Sequence, residues 1–189
     1  MSPKIITTEK RPTPDNSTKL IQGYAELIGT FAISFFGGLS VIQADLGYNN
    51  LLGVAVAHAL TVGFFFHSTF KISGAHLNPA CTLSMLITRQ CGPKKAAFYI
   101  LFQFLGSLLS GGFLQIYVSS LPDIIKPLPS RLGYPHKNTT YPVSIGVMFV
   151  YELIGTYFLL LIIYMNAVNQ TKTTDIHGTA IGGYVGLAI

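Results

Sequence analysis

The chain has 189 residues, half of them hydrophobic and only 10% charged, with a mean hydropathy of +0.50. A soluble globule carries roughly a quarter of its residues as charges, so this composition excludes one and points to a multispanning membrane protein. The formal charge of +5 and pI near 9.2 do not signal a nucleic-acid binder, because the cations sit in short segments between apolar runs and read as orientation signals.

Residues 1–19 hold Lys4, Lys10, Arg11 and Lys19 with three prolines and no apolar periodicity, which predicts a flexible cytoplasmic tail and no cleavable leader. The first span is expected over Leu20–Ile42, with Glu26 as its one charge; a carboxylate at that depth is costly and marks a functional or structural site. The second span, Leu51 to about Phe66, carries His58 and a stripe of Ala55, Ala59 and Gly63 suited to close helix packing.

The stretch Ser73-Gly74-Ala75-His76-Leu77-Asn78-Pro79-Ala80 follows, and it has the grammar of a broken helix. Asn is a preferred N-cap and Pro is favoured at the first helical position, so a helix starts here rather than ends. Over residues 78–89 it reaches about 18 Å at ~1.5 Å per residue, about half of a ~30 Å hydrocarbon core. Positive residues flank it on both sides (Lys71, Arg89, Lys94, Lys95), so it enters and leaves on one side of the membrane. Irregular backbone at that depth is tolerated only in a cavity or packed interior, so the carbonyls of Gly74, Ala75 and His76 are expected there as acceptors. The helix dipole and the Asn78 amide suit water and disfavour cations. In isolation Asn-Pro-Ala reads simply as a helix start in a loop.

A third span is expected over Ala96–Val118, a proline-rich loop over 119–142, a fourth span over Val143–Asn166 with Glu152 as its one charge, and the opening of a fifth at Thr179–Ile189. Gly178, Gly182 and Gly186 recur there at four-residue spacing, a close-packing pattern. Nine cations in the tail, around the short helix and after the fourth span, against three in the long loop, place the amino terminus inside. Cys81 and Cys91 are expected to be free thiols, and His67, His136 and His177 show no ligand spacing.

Glu26-Leu27-Ile28-Gly29-Thr30-Phe31 recurs as Glu152-Leu153-Ile154-Gly155-Thr156-Tyr157 at an offset of 126 residues. Three spans separate the copies, an odd number, so the two halves lie inverted in the bilayer. The expected fold is an all-α membrane bundle: a first repeat over 20–118 with a re-entrant half-helix at 78–89, and an incomplete second repeat over 143–189. The offset puts a second Asn-Pro-Ala near residue 200, so the sequence reads as one that stops before it and does not conduct alone.

The Ser-Gly-Ala-His-Leu-Asn-Pro-Ala string after an apolar span resembles the first signature loop of the aquaporins, the major intrinsic protein family. The likeness extends over nearly the whole chain after about Leu20. It implies that Asn78, Pro79 and Ala80 form the proton-excluding midpoint of a pore and that Gly74, Ala75 and His76 line it with carbonyls. It also implies that Glu26 and Glu152 brace re-entrant loops and that full-length relatives form tetramers. His58 and Ile189 fall at the family's constriction, most like the tonoplast-type branch, which admits solutes such as urea or glycerol besides water; the alternative is a His packed between helices. No enzyme motif, cofactor site or metal constellation occurs. The function implied is a passive water channel. A non-conducting interaction subunit that assembles with full-length relatives is the alternative, and a secondary transporter has only Glu26 and Glu152 to offer a coupling ion.

Overall fold

The computed structural model of the protein describes residues 15–122, 144–168 and 177–188. Asp15 ends the tail as an N-cap, its Oδ1 accepting from the Thr18 amide at 2.8 Å, and α1 then runs Asn16–Asp45. Asn50 caps α2, Leu51–Ser73, in the same way through the Gly53 amide. This helix continues a further two turns beyond Phe66, where the sequence suggested an end. Ser68 and Thr69 bond carbonyls four residues back and do not interrupt it, and only Gly74, at φ 94°, turns the chain away.

The short helix α3 spans Pro79–Ile87, capped by Asn78, whose Oδ1 accepts from the Ala80 amide at 2.8 Å. Nine residues give about 14 Å, too short to cross a bilayer. It stops two residues earlier than expected, since Arg89 takes a left-handed φ of 61°. Pro93 then opens α4, Pro93–Ser120, and Ser144 caps α5, Ile145–Ile163, which continues as a π-helical turn over Tyr164–Val168. The last helix, α6, is His177–Leu187. Among the described residues α1, α2, α4 and the segment Ile145–Asn166 are long and apolar enough to cross a membrane.

The bundle is knit at small residues. Gly106 of α4 lies so close to α1 that a Cβ would sit 2.4 Å from the Leu27 carbonyl oxygen, and the contacts advance together along both chains, so α1 and α4 run parallel. Against α2 the second seam forms: Gly178 meets Gly63, Gly182 meets Ala59 and Gly63, and Gly186 meets Ala59 and Ala55, so α2 and α6 run antiparallel. The two stripes legible in the sequence are therefore two sides of one interface. Backbone approach of this kind replaces the hydrophobic drive that lipid cannot supply.

Around α3 the buried core gathers Val62 and Phe66 of α2, Ala75 and Leu77 of the loop, Cys81 and Met85 of α3, Ile163 of α5 and Ile181 of α6. The exit of α3 is pinned to α5: Tyr164 Oη donates to the Ser84 carbonyl at 3.1 Å and also meets Thr88 Oγ1. Because α5 ends where α3 ends, beside the start of α4, it runs opposite to α1. The two copies of Glu-Leu-Ile-Gly-Thr thus lie on oppositely directed helices. Their glutamates differ, however: Glu26 is fully buried, whereas Glu152 is exposed rather than buried as expected. α5 packs on α6 and the end of α3, and no described element covers the face that carries Glu152.

Candidate functional site

Glu26 sits three turns into α1 and organises the loop before α3. Its Oε1 accepts from Ser73 Oγ at 2.5 Å and the His76 amide at 3.0 Å; its Oε2 accepts from the Leu77 amide and from Gln103 Nε2, both at 2.7 Å. A carboxylate offers about four lone-pair sites, so all are used. The same Gln103 amide reaches Thr82 Oγ1 at 2.9 Å, and Thr82 Oγ1 also bonds the Asn78 carbonyl at 3.1 Å and lies 3.2 Å from His76 Nδ1. Tyr99 Oη donates to the Ser73 carbonyl at 2.7 Å and Thr30 Oγ1 to the Leu77 carbonyl at 3.2 Å. Three helices therefore hold one loop.

That hold is needed because the loop is strained. Ala75 and Leu77 lie at φ 50° and 48°, the left-handed region, beside Gly74 at 94°. Each non-glycine residue there costs about 1–3 kcal/mol and persists only when its surroundings fix it. The turn directs the loop's amide groups of His76 and Leu77 at Glu26. The carbonyls of Gly74, Ala75 and His76 receive no hydrogen bond from any described residue.

Asn78 is half-buried at the head of α3, with Pro79 and Ala80 as the first helical residues. Its Oδ1 is committed to Ala80, and among the described residues nothing accepts from its Nδ2. It borders a cavity of about 190 Å³ whose wall includes Ile33, Phe66, His76, Cys81, Leu159 and Ile181. Leu77 packs on Gly29, where a Cβ would lie 2.5 Å from its Cδ2, and this puts the loop near the middle of the 30-residue α1. His58 does not line this cavity. Its Nδ1 bonds the Val54 carbonyl at 2.9 Å and its ring lies against α1 at Gly37, about 12 Å further along α1 at ~1.5 Å per residue. Ile189 lies outside the described residues. Among the described residues no group of three His, Cys, Asp or Glu could hold a metal ion.

Gln103, Thr82, Tyr99 and Thr30 were not legible as site residues. Of these only Gln103 left a signal, a side-chain amide inside a predicted span, and it shares that signal with Gln115.

Residues 15–189 match the family model described as Major intrinsic protein. The chain belongs to the major intrinsic protein family. Members of this family are channels, not enzymes, and the match together with four apolar helices makes the chain an integral, multi-pass membrane protein. Its relatives include aquaporin Z of Rhodopseudomonas palustris, 33% identical over 87% of this chain and 66% of the relative. Glycerol uptake facilitator protein-like 6 of Lactiplantibacillus plantarum is 28% identical over 84% and 68%. The fold matches the X-ray structure of the aquaglyceroporin from Plasmodium falciparum with a TM-score of 0.72 at 23% identity, over 90% of this chain and 69% of that one. The chain spans between about half and two thirds of the length of the curated relatives it matches.

Proposed function

We propose that this major intrinsic protein builds one half of a passive pore for water, with glycerol or urea as further neutral solutes. The observation that carries the reading is Asn78: its oxygen is locked to the Ala80 amide, which fixes the side chain, the residue borders the cavity, and its Nδ2 has no described acceptor. A donor fixed at the positive end of α3, beside the carbonyls of Gly74, Ala75 and His76 that no described residue bonds, suits a molecule that both donates and accepts, and the dipole opposes cations. The names of the aquaporin and glycerol-facilitator relatives support the same solute class. The Glu152–Tyr157 copy of Glu26–Phe31 supports an inverted counterpart of residues 20–118 in residues 143–189.

His58, about two turns of α1 away from the Asn78 level, is the residue we assign to the constriction, with Ile189 as its counterpart on the sequence resemblance, in the manner of the tonoplast-type branch. The amino terminus is cytoplasmic on the balance of cations, and the assembled protein is a homotetramer. The second reading, a non-conducting subunit assembled with relatives, is favoured by Glu152, since a carboxylate exposed along a span calls for a partner.

The test is Asn78→Asp, assayed in oocytes or proteoliposomes for water flux and ion current. A fixed negative charge at the head of α3 offsets the dipole, so cation current should rise while the protein still reaches the membrane. Unchanged current with normal water flux would place Asn78 away from the pore.

A further inference from the structure

We propose that Phe66 is a second size filter, distinct from His58, which restricts the cavity beside Asn78 to small neutral solutes through the fixed position of its ring. The filter rests on the pore reading and names the residue that sets the cut-off at this level. Phe66 is 3% exposed and lies two turns further along α2 than His58, about 12 Å at ~1.5 Å per residue. It borders the cavity of about 190 Å³ together with Asn78 and Cys81. It is also the largest side chain on the apolar wall, whose other members are aliphatic or, at Cys81, a thiol. Such a wall returns none of the hydrogen bonds that a solute leaves behind in water, so it selects by fit alone.

Neither boundary of the cavity gives way. The Phe66 ring stacks on Phe70 one turn on, with centroids 5.5 Å apart and planes 26° from parallel, and this holds it in place. On the loop side Leu77 borders the same cavity and is lodged against Gly29, where a Cβ would meet its Cδ2 at 2.5 Å, so the loop has no room to withdraw toward α1. α1 and α2 run antiparallel, since His58 meets Gly37 and Ser73 meets Glu26, and this register sets Phe66 at the level of about residues 29–33 of α1, where Leu77 packs. Phe66 is enclosed by its own chain, so its position does not depend on what covers the outer faces of the helices. A close-packed interior collapses only in part after a truncation, so removing the ring enlarges the cavity.

Cys81 reports on that space, because its thiol is 3% exposed and borders the cavity, so a reagent arrives through it. The full chain carrying Cys91→Ser, in proteoliposomes, is treated with methylmercury or phenylmercury chloride. Each forms one S–Hg bond as the thiol proton and the chloride leave, and adducts are counted by intact mass, with rates taken relative to the same chain unfolded in denaturant. With Phe66 present, phenylmercury should react about tenfold more slowly than methylmercury, and Phe66→Ala should remove the difference. Phe66→Leu, which keeps the wall aliphatic and packed, should fall between the two and carries the test if Phe66→Ala does not fold. Equal rates for the two reagents with Phe66 present, or an unchanged ratio in folded Phe66→Leu, would overturn the size filter. So would the absence of any methylmercury adduct, which would take Cys81 off a reachable cavity. Water flux is measured on the same proteoliposomes: no flux with the adduct ratios as expected would remove the pore reading and leave Phe66 as the limit on the cavity.

Discussion

Glu26→Gln isolates what holds the pore loop. The carboxylate takes four hydrogen bonds, each worth about 1.5–3 kcal/mol at a charged acceptor, together about 6–12 kcal/mol. Against this stand Ala75 and Leu77 in the left-handed region at about 1–3 kcal/mol each, together about 2–6 kcal/mol. Glutamine has nearly the same shape, but its amide must face one pair of donors. Two neutral bonds of about 0.5–1.5 kcal/mol then remain, and two buried donors are orphaned at about 1–3 kcal/mol each. The balance turns against the strained turn. A loss of at least about 3 kcal/mol in local stability corresponds to about a hundredfold faster amide exchange. Hydrogen exchange at His76 and Leu77, followed by NMR or mass spectrometry in nanodiscs, should show it, whereas Glu152→Gln should leave both amides as they are. Unchanged protection of His76 and Leu77 in a folded Glu26→Gln protein would refute the bracing role.

Other outcomes follow from the same geometry. Gly182→Val places a Cβ 2.2 Å from the Ala59 carbonyl oxygen and should lower stability by about 1–3 kcal/mol, read as the thermal midpoint; an unaltered midpoint would mean that α2 and α6 do not meet as described. The Thr18 hydroxyl and amide and the Ser17 hydroxyl hold the Asp15 carboxyl down at about 2. Its folded value lies below its unfolded one, so the cap is complete above about pH 4 and is lost as pH falls through about 2. The Thr18 amide resonance should therefore stay fixed from about pH 7 to 4, and a titration near pH 4 would show the cap unmade. In a microsomal translation assay Asn138 should accept glycan and Asn16 and Asn169 should not; modification of either of the latter would reverse the orientation.

The sequence by itself determined the elements. The number of apolar spans, the short helix starting at Asn78-Pro79 and the glycine and alanine stripes are local properties: a bilayer demands a run of given length, a cap needs one side chain, and a close approach needs a missing one. Even the opposite directions of the two Glu-Leu-Ile-Gly-Thr copies follow from counting spans. Tertiary structure decided which faces meet. Glu26 finds its donors 47, 50, 51 and 77 residues away, at the end of α2, on the loop and on α4, and no local pattern names Gln103 as one of them or Tyr99 as the group that holds Ser73. A span that is apolar all round carries no stripe to say which side turns inward. Hence His58 could be placed at a constriction by position, yet only packing set its ring against Gly37. Glu152 shares the sequence context of Glu26 but not its burial, because that context fixes a helix and not the neighbour whose donors a buried carboxylate requires.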